Sequence, residues 1–330
     1  MILHGSHSFS TAFFNWRFRK AKHSIEIDFK SRLDFSRHSR TFEQIFQIQK
    51  SIAVAKLLFS FGIVTDIQYA DIENRKQHLF RAAPQKLAKC VTDWNQHDLA
   101  FAVQLGDIVQ GNGEKTLGEL ERVLEILSDF QKPMYHVIGN HCLEISLPVL
   151  LEKFGYPAPY YDFAVKGFRF IVLHSMEVSI FSRPKDGAAY RIAEATLEKN
   201  PELKFWTGAL SVSQIEWLRA KLAFAKSQNE RVIILNHLPA HEETTDGESG
   251  LLWNAQELRE LLAESGCVIA HLNGHHHPGG YAKDRSVHFA TLEALLDSPE
   301  HGTAYGIVEV YEDRLLLKGM GSLTSRELGF

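Results

Sequence analysis

Seven side chains able to ligate a hard or borderline metal ion occur in order along the chain, each just after a short apolar run. Residues 56–65 end at Asp66, with Gln68 two places on, and residues 99–105 end at Gly106-Asp107. Residues 133–138 lead into Gly139-Asn140-His141, residues 231–235 into Asn236-His237, and residues 267–272 into Asn273-Gly274-His275-His276-His277. Carboxylate, amide oxygen and imidazole are offered without a thiolate, a set that suits Mn, Fe or Zn at a hydrolytic site and not a sulfur-bound structural zinc. Seven groups exceed the needs of one ion. Two ions about 3.5–4 Å apart, sharing a bridging carboxylate, are the natural arrangement. A single strand-terminal Asp is often only a turn former; it is the ordered repetition that points to a site.

Short apolar runs bounded by Gly and polar residues read as buried strands. Between them lie stretches with helical spacing: residues 84–97 with Leu87, Val91 and Trp94, and residues 116–130 with Leu120, Val123, Leu124 and Leu127. Residues 213–225 present Ile215, Leu218, Leu222 and Ala225, with Ser213 as the expected N-cap. Alternating strands and helices predict a layered α/β architecture. The ligands then sit at the carboxyl ends of the strands, where such sheets gather their binding groups. Residues 287–292, 304–310 and 314–318 read as consecutive strands, the last two joined by a turn from Tyr311 to Arg314.

Of the 330 residues, 45% are hydrophobic and 23% charged, so a large core can form. The formal charge of −4 gives no basis for a nucleic-acid or anionic-membrane partner. A small anionic substrate would be drawn in by bound cations. Cys90, Cys142 and Cys267 are odd in number and far apart, with no paired spacing, which fits reduced thiols in a cytoplasmic protein. No apolar stretch approaches the roughly 20 residues needed to cross a bilayer. Residues 1–48 are rich in Ser, Phe, Arg and Lys without clean periodicity and read as an N-terminal extension without assigned function; residues 49–330 read as the catalytic domain.

The series Asp-x-Gln, Gly-Asp, Gly-Asn-His, a lone His after a strand and Gly-His-x-His resembles the calcineurin-like metallophosphoesterases, whose first element is usually Asp-x-His. The resemblance implies a four-layer αββα sandwich, two mixed β-sheets flanked by helices. It implies one metal position made by Asp66, Gln68, Asp107 and His277, and a second by Asp107, Asn140, His237 and His275, with Asp107 bridging. His141 would be the catalytic histidine that protonates the leaving oxygen or steadies the phosphoryl charge. Three departures narrow the branch. Gln68 stands where imidazole is usual and favours Mn or Mg. Gln110 stands where purple acid phosphatases carry a ligating Tyr. Cys142 replaces the acidic residue usual after Gly-Asn-His and reads as a small buried thiol.

Asp-x-Gln, together with residues 66–73, 92–95, 104–109, 168–173, 236–239, 252–254, 274–281 and 302–306, is similar to the manganese-dependent ADP-ribose/CDP-alcohol diphosphatases. That resemblance covers about residues 56–325. It implies hydrolysis of the diphosphate linkage of ADP-ribose or a CDP-alcohol to a nucleoside monophosphate and a phosphorylated alcohol, with two divalent ions, Mn first and Mg, Fe or Zn as alternatives. The competing enzyme reading is a phosphodiesterase acting on cyclic nucleotides or glycerophosphodiesters. The oligomeric state is not legible. A protein-binding scaffold is a further alternative within this fold, though no ligand position is empty here.

Other residues are weighed individually. Tyr69, next to the first motif, is a candidate to stack on a nucleobase, and His241 to reach the pocket entrance; both are expected substrate contacts. His276 should point away from its neighbours in an extended segment. His136, His174 and His271, in strand-like runs, read as satisfied core histidines. Trp253 and Tyr281 read as packing at least as well as contacts. The acidic loop 242–250 reads as solvated, with a role in substrate choice as the alternative.

Overall fold

The computed structural model describes residues 56–330, so the expected N-terminal extension, residues 1–48, lies outside the described residues. Each apolar run becomes a strand. Strands β1 (Leu57–Val64), β2 (Phe101–Gln104) and β3 (Met134–His136) run parallel at one end of a six-stranded sheet. Its other members are β10 (Ala304–Tyr311), antiparallel to β1, then β11 (Arg314–Gly321) and β12 (Arg326–Gly329). The second sheet has the order β4 (Tyr161–Val165), β5 (Phe168–Val172), β6 (Arg231–Leu235), β7 (Val268–Asn273), β9 (Val287–Thr291) and β8 (Gly280–Asp284). The expected hairpin joins β10 and β11, whereas β9 belongs to the other sheet, parallel to β7.

Alternation along the strands explains why the runs are apolar throughout. Phe59, Phe61 and Ile63 of β1 and Phe101 and Val103 of β2 face Phe168, Phe170 and Val172 of β5 and Ile233 and Leu235 of β6 across the inter-sheet core. Phe61 and Phe101 stack at 4.9 Å, and Phe170 meets both edge-on at 5.4 and 5.0 Å. The opposite faces are covered by helices. Val64 and Ala102 pack with Leu87, Val91 and Trp94 of α1 (Ala83–Trp94) and Leu120 and Val123 of α2 (Thr116–Ser128). Ile171, Val232 and Ile234 pack with Leu218 and Leu222 of α5 (Val212–Ser227) and Leu258 and Leu262 of α6 (Ala255–Ser265). Two more helices, α3 (Leu147–Phe154) and α4 (Ala188–Lys199), complete the chain order between β3 and α5. With the central strands of both sheets buried on both faces, the four-layer αββα sandwich follows.

One local expectation is corrected. The N-cap of α5 is Ser211, whose Oγ accepts the Gln214 N–H at 3.1 Å; its extended backbone lets the hydroxyl reach that amide, and Ser213 lies inside the first turn.

His136, His174 and His271 are buried, but each leaves Nδ1 without a partner, so these core histidines are not fully satisfied as expected. Burial lowers the pKa of each from its usual 6.5 to about 4. The unfolded chain therefore takes up protons that the folded one refuses. The contribution of these three rings to stability is full above pH 6.5 and is lost as the pH falls toward 4. Denaturant midpoints should drop steadily over that window; a flat profile from pH 7 to 4.5 would contradict the burial of these rings.

Candidate metal centre

Backbone conformation concentrates strain where the strands deliver their ligands. Of the eight non-glycine residues with positive φ among the described residues, four are Asp66 (49°), Gln68 (44°), Asp107 (51°) and His275 (69°). Left-handed backbone costs a non-glycine residue about 1 kcal/mol or more, and such residues gather where function over-determines them. Cross-loop hydrogen bonds hold the turns: Gln68 N–H donates to Asp107 O at 2.9 Å, and Gly274 N–H to His237 O at 3.1 Å.

Four of the expected ligands form a tight knot. Asp107 Oδ2 lies 3.1 Å from His237 Nε2, and Asn140 Oδ1 lies 3.2 Å from His237 Nε2 and 3.1 Å from His275 Nδ1. The two imidazole nitrogens are 3.3 Å apart. Ligands about 2.0–2.2 Å from one ion stand at about this mutual spacing. The outer nitrogens are fixed: His237 Nδ1–H donates to Leu105 O and His275 Nε2–H to Ser249 O, both at 2.9 Å. That leaves the inward nitrogens to offer lone pairs.

The remaining ligands sit beside this knot. Asp66 Oδ2 accepts the Thr65 hydroxyl at 2.6 Å and the His275 N–H at 3.0 Å. Its Oδ1 is buried without a hydrogen-bond partner, 3.6 Å from His277 Nε2. His277 Nδ1–H is held by Asp297 Oδ2 at 2.8 Å. Gln68 approaches Asp107 Oδ2 with its amide nitrogen at 3.2 Å. A half-turn of that amide, which exchanges nearly isosteric groups, presents Oε1 instead.

The electrostatics call for cations. Burial pushes the Asp107 and Asp66 carboxyls up, yet the neighbouring histidines outweigh it and hold both below the usual range. Burial lowers the His237 pKa, but Asp107 and Asp66 carry it up to about 9; burial likewise opposes His277, which Asp297 and Asp66 raise to about 10. Burial, with the charge of His237, drives His275 down to about 4. A buried orphan oxygen, inward lone pairs and surplus carboxylate charge together fit a pair of divalent ions.

His141 donates its backbone N–H to Asp107 Oδ1 at 2.9 Å and its ring Nδ1–H to Gln110 O at 2.7 Å. It lines a cleft of about 720 Å³ together with Gln68, Asp107, Asn140, His275 and His277. One wall is aromatic, made by Phe181, Trp206 and the 53% exposed Phe205. Cys142 lies underneath as a fully buried thiol, and burial pushes its pKa to about 12.

Neither Tyr69 nor His241, the expected substrate contacts, is among the residues that line this cleft. The Tyr69 hydroxyl accepts from Arg122 Nη1 at 3.3 Å on another face. His241 folds against Phe289 and accepts the Glu243 N–H through Nδ1. His276 rests on Ser249 Oγ at 2.9 Å; the left-handed turn at His275, not an extended segment, swings it there. Trp253 and Tyr281 hydrogen-bond to Lys204 O and His288, outside the cleft. The acidic loop brings Asp246 and Ser249 to the cleft, and the Ser249 carbonyl also takes the Trp206 Nε1–H at 2.8 Å. The aromatic wall, His78 and Asp297 carried no motif in the sequence.

The motif glycines make room for these groups. A Cβ on Gly139 would lie 2.2 Å from Asp107 Oδ1, and one on Gly274 would lie 1.9 Å from Thr65 Oγ1 and 2.3 Å from Asp66 Oδ2. Gly274→Ala should therefore displace Asp66 and cost about 1–3 kcal/mol of stability by overpacking. A wild-type melting temperature and metal content in that variant would refute the packing argument.

The sequence profile of the calcineurin-like phosphoesterases matches residues 59–279. A manganese-dependent ADP-ribose/CDP-alcohol diphosphatase of Oryza sativa subsp. japonica is 33% identical, covering 83% of this chain and 94% of the relative. One of the same description from Arabidopsis thaliana is 32% identical over 83% and 98%. The crystal structure of a dimetal phosphatase from Danio rerio superposes with a TM-score of 0.76 at 26% identity, covering 83% of this chain and all of that one. The chain belongs to the calcineurin-like phosphoesterase family.

Proposed function

We propose that this protein is a two-metal diphosphatase that hydrolyses ADP-ribose or CDP-alcohols to a nucleoside monophosphate and a phosphorylated alcohol. The observation that carries this reading is the convergence of Asp107, Asn140, His237 and His275 within 3.1–3.3 Å, beside the unpartnered Asp66 Oδ1. Asp66, Gln68, Asp107 and His277 would hold one ion and Asp107, Asn140, His237 and His275 the other, with manganese as the native metal. The named substrates of the relatives support the substrate class. When bound, the two cations neutralise phosphoryl charge and make a water acidic near neutral pH.

The chain's own residues do the rest. Asp107 receives the His141 N–H on the oxygen not facing His237, so the shared carboxylate also aligns the catalytic histidine. Gln110 O holds Nδ1–H of that ring and leaves Nε2 to meet the leaving oxygen. Phe205 and Trp206, in place of Tyr69, offer a base the stacking surface. We read the catalytic domain as residues 49–330. No helix among the described residues is long and apolar enough to cross a membrane. The unpaired Cys90, Cys142 and Cys267 support a cytoplasmic location, and the formal charge of −4 gives no basis for a nucleic-acid or anionic-membrane partner.

Steady-state assays with Mn, comparing ADP-ribose, CDP-choline and cyclic AMP, test the reading. Turnover of the first two is expected; selective turnover of the cyclic nucleotide would assign the chain to the phosphodiesterases.

A further inference from the structure

Residues 294–298, between β9 and β10, form a strap across the Asp66 and His277 side of the site. Leu295 N–H donates to Thr65 O at 3.1 Å, Leu296 N–H to Asp66 O at 3.0 Å, and Ala294 N–H to His277 O at 3.0 Å. The strap's own carbonyls turn inward to a lysine. Lys86 of α1 is 1% exposed, and its Nζ donates to Leu295 O (3.4 Å), Leu296 O (2.9 Å) and Ser298 O (2.6 Å). Its three N–H groups meet three carbonyls, and no carboxylate among the described residues forms an ion pair with it. Burial lowers its pKa from 10.5 to about 8, against the charges of Asp297 and Glu300.

Burying an ammonium without an ionic partner is costly, and a residue that only filled space there would be apolar. What the lysine secures is the backbone carrying Asp297. That carboxylate receives His78 Nδ1–H on Oδ1 at 2.6 Å and His277 Nδ1–H on Oδ2 at 2.8 Å. The opposite nitrogen of His277 faces the unpartnered Asp66 Oδ1.

We infer that Lys86 and Asp297 are positioning residues for the Asp66/His277 half of the metal centre: Lys86 fixes the strap, the strap fixes Asp297, and Asp297 fixes the tautomer and orientation of His277. The inference rests on the two-metal reading. Removal of an outer partner of this kind costs about 10–100-fold in metal affinity.

Mn binding to the full chain, followed by electron paramagnetic resonance of the free ion, tests it in wild type, Asp297→Ala and Lys86→Met. Wild type should bind two ions, and each variant should keep one at wild-type affinity while binding the other at least about tenfold more weakly. Two ions bound with unchanged affinities by both variants would overturn the positioning role. If Lys86→Met fails to fold, Asp297→Ala decides alone, because its side chain borders the cleft and belongs to no apolar cluster. Fewer than two ions on wild type would overturn the two-metal reading, and the strap's role with it.

Discussion

Replacing Asp107 by Asn lowers turnover by about 10³-fold or more at saturating Mn. This carboxylate faces His237 Nε2 and Gln68 Nε2 through one oxygen and the His141 N–H through the other. An amide of the same shape must turn its NH₂ either toward the His141 N–H, a second donor, or toward His237 and Gln68, where it no longer offers an oxygen to share. It also removes the negative charge that raises His237. Both proposed metal positions share Asp107, so the loss reaches both. Metal stabilisation of phosphoryl charge is worth several kcal/mol, and about 4 kcal/mol corresponds to about 10³ in rate. Measured kcat/KM within tenfold of wild type, on a variant shown by circular dichroism to be folded, would remove Asp107 from the centre of the site.

His141→Ala produces a different signature. Its ring is oriented by Gln110 O and lies outside the knot of Asp107, Asn140, His237 and His275. Two bound Mn ions are therefore expected to remain while kcat falls by about 10²–10⁴, the usual contribution of a positioned proton donor. The backbone N–H to Asp107 survives the substitution, so the bridging carboxylate keeps its partner. A substrate with a poorer leaving group should suffer more than a diphosphate. An unchanged kcat, or a parallel loss of metal, would contradict the role given to this histidine.

The difference between what was and was not legible in the sequence is physical. Asp66, Asp107, Asn140, His237 and His275 each follow a short apolar strand, and that local pattern survives in the linear chain. Tyr69 and His241 are neighbours of ligands in sequence only. The Tyr69 backbone bridges Val109, and its ring contacts Arg122; His241 is spent capping the short turn at Glu242–Thr244. Lys86, His78 and Asp297 come together over separations of 209 to 219 residues, in contacts that no spacing rule encodes. Phe205 and Trp206 stand in the irregular segment between α4 and α5. The layered α/β class followed from alternation, and the two-sheet sandwich from the family resemblance. The assignment of β9 to one sheet and β10 to the other depends on a crossover that adjacent strands do not reveal. Helix α4 buries only Ala193 among its core-facing positions, which left little apolar periodicity to read.

The proposed site is a pair of ions sharing Asp107. Crystals grown with Mn and measured at the manganese absorption edge test it most directly. Two anomalous peaks about 3.5–4 Å apart are expected, with Asp107 between them, Asp66, Gln68 and His277 around one, and Asn140, His237 and His275 around the other. A single peak, or peaks away from Asp107, would contradict it.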